Sequence, residues 1–234
     1  MNERSKLVAL AALAVVVILS VSLFIARGQD WGTPRNPQQQ VQQIAKRGFS
    51  TDNSFFTSEE NELVLADIKR RQEEFTSGSN ATVENLVDMA RKVRDLRDYD
   101  QALALFAVAD TMNPADLFYK LDIGRIYLER QQWEAARQVF EPMKVTWPVH
   151  EAFLGFAEAY NHIEGTPNYV IDQIYEESVY RNNGEFSVLE EYAEWLEKTD
   201  RAEKAVPYYE EMYRLVPQPT LEQKIAELKA AYKK

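Results

Sequence analysis

The chain has 234 residues, enough for a membrane anchor and one domain with a sizeable core, and its 45% hydrophobic content excludes global disorder. It has no cysteine, which excludes disulfides, thiolate nucleophiles and cysteine metal sites. The net charge of −10 is uneven: residues 1–57 carry +3 and the remainder −13, a balance that repels nucleic acid and anionic headgroups.

After a short arm, residues 1–6, the run from Leu7 to Ala26 has twenty residues and no charge. At about 1.5 Å rise per residue such a helix is about 30 Å long, the thickness of a bilayer's hydrocarbon core. Secretory signal peptides have apolar regions of roughly 7–15 residues, so an uncleaved transmembrane anchor over 7–26 is expected. Arg4 and Lys6 favour a cytoplasmic N-terminus, against Arg27 and Arg35 on the other side. A short arm before a long domain gives the expectation of a single-pass inner-membrane protein with its C-terminal domain outside the cytoplasm, periplasmic in a Gram-negative cell. Trp31 lies where interfacial aromatics collect.

Residues 27–57 hold Gly28, Gly32, Pro34, Pro37 and a Gln38-Gln39-Gln40 run, which reads as a flexible or extended linker. Either it is a free tether, or Phe49, Phe55 and Phe56 lay it as an arm across a neighbouring membrane protein. A pre-repeat helix and turn fill 58–82. The helix starts near Ser58 and ends about Phe75, where Thr76 to Asn80 break it.

An internal repeat follows. Ala90, Ala102, Phe106 and Pro114 are succeeded 34 residues later by Gly124, Ala136, Phe140 and Pro148. The frame returns as Ala205, Tyr209 and Pro217, which lie 69 residues after Ala136, Phe140 and Pro148. Small residues (Ala90, Gly124, Ala157 and Ala193 on first helices, Ala102, Ala136 and Ala205 on second ones) let paired helices approach. The prolines end the second helix of each pair, because proline lacks an N–H and disfavours the α conformation before it. The units divide at 83–116, 117–149, 150–185 and 186–219. In the third, His162 to Pro167 make a longer turn, and Val170 and Ile174 stand at the alanine and aromatic positions. Residues 220–234 read as a capping helix with Thr220 and Gln223 in capping-box spacing and an apolar stripe of Leu221, Ile225, Leu228 and Tyr232.

This 34-residue pattern over roughly 83–234 resembles the tetratricopeptide-repeat (TPR) family. The resemblance implies an all-α fold: an N-terminal transmembrane helix followed by an α-solenoid of about four helix pairs with a capping helix. In that family the first helix of each repeat lines a concave surface. The matching positions are Glu84, Val87, Arg91, Arg94 and Asp95, then Phe118, Leu121, Arg125, Leu128 and Glu129. The third and fourth units give Glu151, Leu154, Glu158, Asn161 and His162, then Ser187, Glu190, Glu194, Glu197 and Lys198. The first half offers arginines and apolar residues, the second is acidic. Arg91, Arg94, Phe118, Leu121, Arg125 and Leu128 are the expected partner-binding groove. The lysine- and asparagine-rich carboxylate clamp of the chaperone-binding class is not reproduced.

No catalytic, cofactor or metal site is expected. The sequence has no P-loop, GxGxxG or HExxH motif, and His150 and His162 read as surface or turn residues. Glu190-Glu191 and Glu210-Glu211 read as solvated helix faces, and Asn80-Ala81-Thr82 as a chance match to the N-glycosylation pattern. The expected function is a non-catalytic scaffold, an accessory or assembly subunit of a larger membrane complex that docks through its repeats. The alternative is a membrane-tethered adaptor or chaperone that binds client peptides. Partners would be proteins, integral membrane subunits or their soluble domains, with the bilayer contacted through 7–26 and no nucleic acid.

Overall fold

The computed structural model describes residues 36–50 and 56–232; the anchor over 7–26 and the arm before it lie outside them. Among the described residues there are eleven helices and no strand. They are α1 (Pro37–Ala45), α2 (Ser58–Ser77), α3 (Val83–Asp95), α4 (Tyr99–Met112), α5 (Phe118–Glu129) and α6 (Trp133–Thr146). The rest are α7 (His150–His162), α8 (Asn168–Arg181), α9 (Phe186–Lys198), α10 (Ala202–Leu215) and α11 (Pro219–Ala231). Each packs mainly on its chain neighbours, which makes a TPR-like solenoid of antiparallel pairs α3–α4, α5–α6, α7–α8 and α9–α10.

Side chains set the helix starts. Thr57 accepts from the backbone N–H of Glu60 at 3.2 Å while the Glu60 carboxylate accepts from the Thr57 N–H at 2.7 Å, a reciprocal capping box. Thr82 and Asp98 cap α3 and α4 by accepting from Asn85 and Gln101 N–H groups. At α11 the expected capping box of Thr220 and Gln223 is absent: Gln218 is the N-cap residue and Pro219 occupies the first turn. Proline is suited to that place because its missing N–H would have been unpaired there.

The repeat is visible in the backbone of the turns. Arg97, Gln131 and Asp200 take left-handed φ values of 63°, 55° and 57° between the helices of the first, second and fourth pairs, and Gly165, φ 80°, does so in the third. Asp98 N–H, Gln132 N–H and Arg201 N–H each reach back to the carbonyls of Val93, Tyr127 and Leu196, the long bond of a Schellman ending. The residues before the three repeat prolines match as well. Asn113, Trp147 and Val216 leave the helix at φ −146°, −153° and −138°.

The third pair corrects the register expected for it. Its turn carries one residue more between Gly165 and the next helix, so the alanine position falls one place later, on Ile171, while Ile174, 4% exposed, keeps its expected core place and Tyr175 beside it is half-buried. Ile171 is 2% exposed whereas Val170 is half-buried. Counting 34 residues straight through the longer turn placed the alanine position on Val170. Elsewhere the small residues lie where helices meet, with Ala102, Ala136 and Ala205 all at 0% exposure.

Residues 37–45 fall inside the expected linker but form a helix. Asn36 accepts from the Gln38 N–H at 2.9 Å and Pro37 starts the helix. Val41 and Ile44 are buried, and α1 packs against α2 and α4. Behind it, Ser50 N–H donates to Asp98 at 2.8 Å and the Gln101 side chain donates to the Gly48 carbonyl. Glutamines dominate this short helix, so its two apolar contacts were too sparse to show as periodicity. A fragment that keeps the core intact therefore begins at residue 36 rather than 58.

Two hydrophobic clusters share the solenoid. One runs from Val41 through Phe75, Met89 and Phe106 to Tyr119 and Ile126, the other from Leu128 through Phe140, Phe156 and Tyr192 to Leu221. Helix α5 joins them, with Tyr119 and Ile126 on one side and Leu128 on the other. Along α11 only Leu221 is buried; Ile225 and Leu228 pack partly on the core, and Tyr232 is 49% exposed, so the expected apolar stripe covers less than its full length.

Candidate functional site

The first helices of the pairs, α3, α5, α7 and α9, carry the residues expected to meet a partner. At the α3–α5 end, Asp122 sits almost buried with its side chain 6% exposed. Arg91 Nε donates to its Oδ2 at 2.8 Å and Arg94 Nη1 to its Oδ1 at 2.6 Å. Arg94 also binds Asp95, at 2.9 Å, and Arg91 approaches Asp88 at 3.9 Å. One carboxylate thus gathers two guanidiniums from the preceding pair, which fixes the pairs against each other and occupies both arginines. They are structural links between repeats before they are anion receptors.

The remaining expected groove residues separate. Leu128 is 9% exposed and belongs to the core, and Leu121 packs partly against it. Arg125 is exposed and has no hydrogen bond or ion pair among the described residues. Phe118 is 65% exposed, its ring 4.5 Å from that of Trp147, on a shallow cleft with Asn113, Ala115, Asp116 and Leu117. The structure therefore brings Arg91 and Arg94 together on Asp122, leaves Phe118 and Arg125 presented, and withdraws Leu128. Sequence position alone does not separate these, because only the fold brings Asp122 to the two arginines.

A second recess opens between α7 and α9. Backbones of α3 and α5, and of α5 and α7, approach each other closely; those of α7 and α9 stand further apart, and Tyr175 from α8 reaches between them. The cleft holds about 310 Å³ and is lined by Leu154, Ala157, Glu158, Asn161, Tyr175, Glu191, Glu194, Trp195 and Lys198. Its floor is aromatic: the Tyr175 ring stacks on Tyr192 at 5.2 Å and on Trp195 at 6.1 Å. Burial first, then the charges of Glu191, Glu158 and Glu194, push the Tyr175 hydroxyl well above the usual phenol range, so it stays a neutral donor. Lys198 pairs with Glu194 at 3.0 Å, and Glu158 has no ion pair among the described residues.

Of the two histidines, only His150 touches a residue lining this cleft. His150, expected at the surface, has a side chain only 15% exposed, with Nε2 3.3 Å from Glu191 Oε2. Neither atom makes an aligned hydrogen bond. His162 is exposed and stacks on Trp133 at 4.1 Å. No group of three or more His, Asp or Glu among the described residues is placed to hold a metal ion.

No protein-family model and no curated protein matches the chain. Among solved structures it is similar to the residue-41-to-end form of MamA from Desulfovibrio magneticus RS-1 at 15% identity, covering 86% of this chain and 99% of that one, with a TM-score of 0.52. A MamA RS-1 double mutant matches equally, at 15% identity and a TM-score of 0.52 over 85% and 98% of the two chains. At this identity the likeness concerns the fold alone, an all-helical solenoid.

Proposed function

We propose that the protein is a non-catalytic, membrane-anchored scaffold, an accessory or assembly subunit of a larger membrane complex, whose repeats dock on a partner's soluble face outside the cytoplasm. The observation that carries this reading is the TPR-like frame, whose first helices present Phe118 and Arg125 and leave a cleft open between α7 and α9. The anchor rests on the uncharged run from Leu7 to Ala26. No described helix is long and apolar enough to cross a membrane.

One structural feature favours a complex subunit over an adaptor that captures client peptides. Helix α1 is docked on the repeats, so the segment between the proposed span and the folded domain shrinks to residues 27–35. Even fully extended, nine residues span at most about 32 Å. Such a leash keeps the repeats beside the bilayer, where soluble faces of membrane subunits lie; a client-capturing adaptor gains from a longer one.

The test compares residues 1–234, 1–35 and 36–234 as baits in mild detergent at matched concentration. Two combined attachments raise avidity by a factor on the order of 10²–10⁴. Residues 36–234 are therefore expected to retain the same membrane subunits as the full chain, far more weakly. If 1–35 alone retains them equally well, the repeats are not the docking surface and the adaptor reading takes over. For the orientation, alkaline phosphatase fused after Lys234 is expected to be active; a fluorescent green fluorescent protein fusion with an inactive phosphatase would place the domain in the cytoplasm.

A further inference from the structure

The α7–α9 cleft has a chemistry that narrows what can enter it. Its walls are apolar at Leu154 and Ala157, its floor is the Tyr175 ring, and Glu158, Glu191 and Glu194 stand around the opening against one lysine, Lys198. Formal charge at the cleft is thus −2, and Glu191 faces only an imidazole. Neighbouring rings in the same half of the chain already carry cations of the chain itself. Lys144 lies 4.6 Å from the Phe156 ring centre, Arg201 5.8 Å from Trp195 and Lys224 5.7 Å from Tyr209. Tyr175 has no such cation among the described residues, although three carboxylates surround it.

We infer that the cleft between α7 and α9 is a receptor for one long cationic side chain, arginine or lysine, presented by an exposed basic segment of the partner protein. This rests on the reading of the protein as a scaffold that docks through its first helices, and it assigns the partner's charge to the α7–α9 end. Charge complementarity carries the choice of occupant. An acidic or carboxylate-terminated peptide would meet Glu158, Glu191 and Glu194, and an uncharged apolar one would leave them desolvated and unpaired. The aliphatic stem lies along Leu154 and Ala157, as cationic side chains do on apolar surface. The charged head sits over the Tyr175 ring and takes carboxylate oxygens of Glu158 and Glu194, displacing Lys198 from the latter; Lys198 is largely exposed, so its release costs little. A volume of about 310 Å³, at the low end of the roughly 300 to 1,000 Å³ of ligand sites, has room for one long side chain.

The experiment uses the full chain in mild detergent and two labelled peptide twins, one containing arginines and one with glutamines in their place, followed by fluorescence anisotropy. The arginine peptide is expected to bind at least about tenfold tighter, to weaken with added salt, and to lose that advantage in an E158Q/E194Q variant, the scale expected for charge-assisted hydrogen bonds. Both substitutions are at exposed positions, so folding is preserved and is checked by the helical circular dichroism signal. Equal binding of the twins, no binding of either, or an arginine preference that survives E158Q/E194Q each overturns the cationic-side-chain assignment. The docking reading is judged separately, by whether residues 36–234 retain the membrane subunits: if they do while the peptide preference is missing, only the cleft assignment falls. Should they not, docking through the repeats falls, whatever the peptides do.

Discussion

Replacing Ala136 by arginine lowers the melting temperature of residues 36–234 by about 10 °C, and Ala102→Arg does the same. Both methyl groups have no exposure and lie on second helices packed against their first-helix partners. Overpacking costs roughly 1–3 kcal/mol, and forcing a guanidinium into such a contact adds a desolvation or distortion cost of similar size. For a domain of this length about 1 kcal/mol moves the midpoint by roughly 2–4 °C, so a combined loss of about 3–4 kcal/mol gives the stated shift. Thermal melts by circular dichroism read it directly. An exposed control, Arg125→Ala, removes no ion pair and is expected to melt within a degree or two of the parent. Unchanged midpoints in both arginine variants would take these alanines out of the helix contacts and remove the physical basis of the 34-residue frame.

The features that showed in the sequence are those the chain encodes locally or repeats. Ala102, Ala136 and Ala205 share one environment because their helices are packed alike, and repetition makes a weak local signal readable. Turn geometry was less visible. Arg97, Gln131 and Asp200 have nothing chemical in common, yet each adopts the same left-handed φ, because a Schellman ending needs the backbone conformation and tolerates the side chain. The one-residue lengthening before α8 shifted the alanine position from Val170 to Ile171, and no composition marks such an insertion. Pro142 and Pro207 sit inside α6 and α10 without ending them, so proline alone did not mark the boundaries.

At the candidate site, helix-position arithmetic found which residues face together but not which are already engaged. Arg91 and Arg94 looked like a basic recognition surface. Asp122, a whole repeat further along, occupies both, and only three-dimensional proximity shows it. Conversely, Leu154, Glu158, Asn161, Glu194 and Lys198 were all at lining positions, but the recess they form depends on Tyr175 entering from α8, a residue outside the first-helix pattern. The acidic polarity of that half was legible from charge alone; its aromatic floor was not.

Phe140 provides the sharpest test of how the second and third pairs are joined. Its ring tip points between two helix backbones, toward Gly124 on α5 and Gly155 on α7. A Cβ at either glycine would stand 2.3 Å from the Phe140 Cζ, far inside contact distance. The ring is 1% exposed and has little room to retreat. Gly155→Ala is therefore expected to destabilise residues 36–234 by about 1–3 kcal/mol, lowering the midpoint by roughly 2–12 °C, even though alanine is the better helix former by about 1 kcal/mol. Gly124→Ala should behave alike, since the same ring opposes it. The cause can be isolated with Phe140→Leu, which removes the atoms nearest the added methyl. On its own Phe140→Leu leaves a cavity and is destabilising. Combined with Gly155→Ala, it is expected to cost less than the sum of the two single changes, by an interaction energy in the range of about 0.5–3 kcal/mol. Denaturant unfolding of the four proteins in that cycle measures the difference. If the effects simply add, Phe140 is not what makes glycine necessary at 155, and the approach of α5 to α7 is set by other contacts. If Gly155→Ala proves stabilising, the ring moves freely and the junction between the second and third pairs is loose.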